Sequence, residues 1–89
     1  MDAIQAWHKL FAEWPASVPR EGMVVTVTDT IPFINFMVSE GLVLLERDRP
    51  DALGARKVMV PYGSIIVVKL TSPAELSTYR PLGFMPPRT

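Results

Sequence analysis

The stretch "VMVPYGSIIVVKL", residues 58–70, decides how the rest of the chain is read. Two short apolar runs, "VMVP" and "IIVVKL", flank the turn-forming "YGS". β-Branched residues at period two suit a pleated strand and glycine marks a turn, so two strands joined by a tight connection are expected. Along "IIVVKL", Ile65 and Val67 point one way while Ile66, Val68 and Leu70 point the other. Both faces are aliphatic. A chain of 89 residues makes one small core, and that core can bury only one of them.

Upstream, "RKVMVP" (56–61), "LVLLER" (42–47), "FINFMV" (33–38) and "MVVTVT" (23–28) read as further strands. "SEG" (39–41) forms a tight turn, "DTIP" (29–32) a turn or kink, and "DRPDALGA" (48–55) a longer loop. Pro32 confines its strand to a start or an edge at that point. Before these strands lies "DAIQAWHKLFAEW" (2–14), with Ile4, Trp7, Phe11 and Trp14 at three- and four-residue spacing, which predicts an amphipathic helix. Asp2 and Gln5 are placed to form a capping box, and Pro15 ends the helix at Trp14. "PASVPREG" (15–22) is a connector.

The expected fold is therefore mainly β: an N-terminal helix, then five short antiparallel strands. Closing them into a small, strongly bent barrel removes the open edges that invite aggregation. Residues 1–70 form this domain and residues 71–89 a proline-rich C-terminal extension. Tyr79, Leu82, Phe84 and Met85 make the extension too apolar for a purely solubilising tail, so it is expected to lie across the domain or a neighbour.

The order of elements resembles the Sm-like family, in which a helix caps a five-stranded barrel of the SH3 type. The resemblance covers residues 2–70. "VPYGSI" (60–65) is similar to the family's turn between its last two strands in the spacing of its apolar ends, and "GLVLLER" is similar to its third strand. It implies a ring in which the fourth strand of one subunit pairs with the fifth of the next. The family's RNA-reading arginine and glycine would fall on Pro61 and Tyr62, and the lysine and histidine of its bacterial branch on Tyr62 and Gly63. Those residue types are not carried over. Ser39, Glu40 and Gly41 likewise stand where the family has aspartate and asparagine.

Composition narrows the function. Nine basic and nine acidic residues cancel, so no strong field draws the chain to nucleic acid or anionic lipid. The absence of cysteine excludes disulfides, thiolate catalysis and cysteine-bound metals. Polar residues interrupt the amino-terminal segment and no apolar run approaches the ~20 residues of a membrane helix, so a cytoplasmic, membrane-free protein is expected. His8 stands alone on the polar side of the helix, and no carboxylate pair sits in an apolar surround, so neither cofactor nor catalysis is expected.

Two functions follow. The first is a non-enzymatic, ring-forming scaffold or protein-interaction module, with Val58, Val60, Ile66, Val68 and Leu70 as the subunit interface. The second is a nucleic-acid-binding ring using Arg56, Lys57 and a Tyr62 that stacks a base at an exposed turn, although packing of Tyr62 against a neighbour or its own turn is the favoured reading of that residue. Neutral charge and the missing arginine favour the first. The charged loop "ERDRPDALGARK" (46–57) could touch phosphate but reads better as a solvated hairpin end, and Asn35, in the middle of an apolar strand, either bonds backbone at a bulge or lines a pocket.

Overall fold

A computed structural model describes residues 1–88 of the chain; Thr89 lies outside that description. Helix α1 spans Ala3–Ala12 and opens with the expected capping box. The Gln5 amide donates to Asp2 Oδ1 at 2.8 Å and the Asp2 amide donates to Gln5 Oε1 at 3.2 Å. The helix stops two residues early, and Trp14 turns into the connector, where its indole Nε1 donates to the Val18 carbonyl at 3.0 Å. Val18 is buried beneath it.

Six strands follow: β1 (Gly22–Val25), β2 (Thr30–Phe33), β3 (Asn35–Val38), β4 (Leu42–Glu46), β5 (Lys57–Pro61) and β6 (Val67–Lys69). They form two antiparallel three-stranded sheets, ordered β2-β1-β6 and β3-β4-β5. The five-stranded closed barrel is not what forms, because the backbone breaks in two places. At Ile34 the segment read as one strand divides into β2 and β3, each serving a different sheet. At Tyr62–Ser64 a 3-10 turn separates β5 from β6 in the same manner.

"DTIP" is also corrected. The turn lies at residues 26–29, closed by the Thr26 amide on the Asp29 carbonyl at 2.8 Å, and "TIPF" is strand. Pro32 sits on an edge strand, as expected, where its missing N–H deprives no third strand of a donor.

The core is one cluster drawn from both sheets and the helix: Phe11, Val24, Ile31, Phe33, Phe36, Val43, Leu45, Val60, Tyr62 and Ile65. Its centre is aromatic. Phe36 meets Phe11 edge-on at 5.0 Å and Trp14 at 5.0 Å, with Phe33 5.9 Å away. Arg20, from the connector, covers the Phe36 ring at 5.5 Å. Edge-to-face pairs of this kind add to the burial of large side chains.

Past β6 the chain runs extended, then forms a 3-10 helix over Leu76–Leu82 that ends at Gly83 with φ 101°, a left-handed conformation suited to glycine. Residues 84–87 continue beside Trp7 and Leu10 of α1.

Gly22 joins the first sheet closely. A Cβ there would run into the Lys69 carbonyl and lie 3.3 Å from the Phe33 ring, whereas one at Gly41 would meet nothing within 4 Å. Gly22→Ala is expected to destabilise the fold by about 1–3 kcal/mol through overpacking between β1 and β6. Gly41→Ala should leave stability nearly unchanged. Urea unfolding of the two variants beside the parent tests the contrast.

Candidate functional site

Tyr62 is 1% exposed, packed as the favoured reading of that residue has it and not the open platform that base stacking in the nucleic-acid ring needs. The 3-10 turn swings its ring inward, between His8 at 5.2 Å and Phe11 at 6.4 Å. The hydroxyl donates to the Ser39 carbonyl at 3.0 Å, and the Tyr62 amide reaches the Gly41 carbonyl at 3.3 Å. Tyr62 thus ties the β5–β6 connection to the β3–β4 hairpin and has no free face for a base. His8, expected in solvent, is half-buried against it.

The charged loop is organised by Asp51. Its Oδ1 accepts from the Leu53 amide at 2.8 Å and the Ala55 amide at 2.9 Å. These backbone donors, helped by nearby Arg47, hold the carboxyl below its ordinary pKa. Arg47 Nε donates to the Arg49 carbonyl at 3.0 Å, and Lys57 pairs with Glu46 at 3.4 Å across the β4–β5 ladder. Arg56 and Lys57 are exposed, as a phosphate contact requires, but Lys57 is engaged locally and Tyr62 is turned away from both.

The expected interface residues separate. Val60 is 4% exposed and belongs to the core, and Val58 packs half-buried against that core, so their side chains face inward and only the backbone edge of β5 is open there. Val68 also packs on the core, and with Leu70 it lines a cleft beneath the C-terminal segment. Ile66 alone of the five stays well exposed. The assignment to one face fails because Ile65 and Val68 both turn inward. Ile65 caps the 3-10 turn, and β6 begins only at Val67, so period two does not run through the segment.

What the interface reading missed lies on the outer face of the second sheet. Met37 pairs with Leu44, and Leu44 with Met59, forming a row straight across three strands. Met37 is 71% and Met59 66% exposed. Leu42 opposite Pro61 extends the row on one side. Asn35, Glu46 and Lys57 form a polar row on the other. Asn35 Oδ1 accepts from the Phe36 amide at 2.9 Å, supporting the bend beside Ile34. Counting outward-pointing positions in "FINFMV", "LVLLER" and "RKVMVP" together would have found this face.

Among the described residues no cluster of three or more histidine or acidic side chains could hold a metal ion, and no helix is long and apolar enough to cross a membrane. The arrangement defines a small two-sheet β protein with an N-terminal helical cap. No protein-family model matches the chain, and neither the curated proteins nor the solved structures give a match.

Two measurements test the local assignments. Tyr62→Phe should cost about 0.5–1.5 kcal/mol by removing the bond to Ser39. Burial raises the Tyr62 pKa above 10.0. The folded state therefore resists ionisation, and its stability is complete below the unfolded tyrosine value and falls as pH rises from there through the folded value. Tyr62→Phe should lack that alkaline loss in urea melts at neutral and high pH. For Asp51 the sign is opposite: the contribution is present above the unfolded carboxyl pKa and fades as pH falls through the lowered folded value. Asp51→Ala should lower the protection of the Leu53 and Ala55 amides from hydrogen exchange, measured against the intrinsic rate at the same pH, and acidification should lower that protection in the parent.

Proposed function

We propose that the chain works as a non-enzymatic, self-associating scaffold or protein-interaction module. The observation that carries this reading is the Met37–Leu44–Met59 row, an exposed apolar stripe beside an open strand edge. Fully burying such side chains is worth roughly 1.5–3 kcal/mol each, and leaving them wet invites aggregation. The strand edges point the same way. β2 carries Pro32, a common way of blunting an edge, whereas β6 at the other side of its sheet keeps a short open edge. β5 has Lys57 and Pro61 only at its ends, leaving Val58–Val60 free to pair.

In this proposal the chain is a divergent relative of the Sm-like proteins. The helix-first order and the 3-10 turn within "VPYGSI" support that relationship. Copies join head to tail, β5 of one along β6 of the next, and the assembly closes by rotation into a ring. Exposed Ile66, just before β6, and Met59 on β5 would be covered by that contact.

Light scattering on the purified chain is expected to give a monodisperse oligomer, with Met59→Lys shifting it to monomer while circular dichroism stays unchanged. A parent that remains monomeric at high concentration would remove the proposal. The same samples mixed with labelled oligo-uridine at low and moderate salt test the nucleic-acid ring. Salt-sensitive binding lost in Lys57→Glu would replace the scaffold reading with that one.

A further inference from the structure

A cleft of about 660 Å³ lies between α1, β6 and the C-terminal segment, on a different part of the molecule from the methionine row. Trp7 and Leu10 of the helix and Val68 and Leu70 of the strand region contribute to its lining, and Tyr79, Phe84 and Met85 are among those contributed by the C-terminal segment. Its size falls within the range of small-molecule sites, about 300–1,000 Å³, which are likewise apolar with few polar groups.

The charges around it are one-sided. Among the described residues Arg80 is the charged one in the lining, and none of them contributes a carboxylate. Lys9 is nearby: its Nζ lies 4.0 Å from where a side chain on Gly83 would begin. Among the described residues the only ion pair is Lys57–Glu46, and no acidic side chain among them pairs with Arg80 or Lys9. An apolar chain ending in an anion satisfies both features.

The geometry points to a binding site for a single-chain amphiphile with an anionic head, of the fatty-carboxylate class. The chain lies along Trp7, Leu10 and Val68, and the head is held by Arg80 with Lys9 beside it. Arg is suited to this role because its planar fork can bind both carboxylate oxygens.

Calorimetric titration of the full chain with dodecanoate, kept below its micelle concentration, is the test. Dodecyltrimethylammonium, with the same tail and the opposite charge, is the counter-probe. Saturable binding of one dodecanoate per chain is expected, with the ammonium weaker by about tenfold or more. Arg80→Gln should weaken dodecanoate by about tenfold, and Arg49→Gln, on the distant loop, should not. Arg80 is exposed, so its replacement should leave the circular dichroism spectrum intact. Equal affinity for the two amphiphiles, absence of saturation, or unchanged affinity in Arg80→Gln would each overturn the assignment. So would failure to bind dodecanoate accompanied by concentration-dependent protection of Trp7, the sign of a second copy in the cleft. Met59→Lys should bind dodecanoate as the parent does, which separates this site from self-association; loss there would move the site to an interface between copies and overturn it.

Discussion

Phe36 is held edge-on by Phe11 and Trp14 and close to Phe33, and this aromatic contact makes one domain of two sheets that share no strand ladder. Phe33 ends β2 in one sheet and Phe36 lies in β3 of the other, three residues on. In an unbroken strand, positions three apart face opposite sides. Both rings can point inward only because the backbone bends at Ile34, where Asn35 folds its side chain back onto the Phe36 amide. The same change of parity recurs across the other junction, where Ile65 and Val68 both turn inward. The two bends thus decide which side chains fill the core and which remain outside. Removing a ring from such a centre costs about 3–5 kcal/mol, a large share of the total stability of a small domain.

That constraint also explains what could be read from sequence. The helix was legible because its signals are local: the capping box, the apolar spacing and Pro15 all act within a few residues. The strands around Leu44 and Val60 were legible because unbroken alternation holds there, from Leu42 to Glu46 and from Lys57 to Pro61. "DTIP" and "IIVVKL" were misread for a different reason. In each, the backbone departs from the period next to a turn, and nothing within the segment marks where. For Tyr62, packing could be expected from sequence but its partners could not. Its neighbours Pro61 and Gly63 announce a turn, and turns are usually exposed, but the carbonyls of Ser39 and Gly41 that receive it lie more than twenty residues away.

The candidate surface suffered from the same effect in reverse. Reading "VMVP" and "IIVVKL" alone assigned Val58 and Val60 to a neighbour, whereas the rest of the chain claims them for its own core. The aliphatic surplus expected from two-faced strands is real, but it resides elsewhere. Part of it is Met37, Leu44 and Met59, whose alignment depends on the register between three separate strands and is invisible in any one of them. Another part lines the cleft, where the helix, the last strand and the C-terminal segment meet only through the fold.

The polar row next to the methionines gives that face a direction. Lys57 and Glu46 pair at 3.4 Å, but their side chains are 55% and 41% exposed, so the contact adds little to stability. Its position is more informative than its energy. An apolar centre bordered by a polar rim is the usual anatomy of a protein interface, in which the centre supplies affinity and charged rim residues govern which partner approaches and how. With an anion and a cation side by side along one border, and only Leu42 and Pro61 along the other, the face is asymmetric across the strands. A partner that buried the methionines in the reversed orientation would place apolar surface over the charged row and forfeit its hydration. In the proposed assembly this asymmetry would favour one docking orientation over its reverse, a requirement for copies to join head to tail at a fixed angle and close.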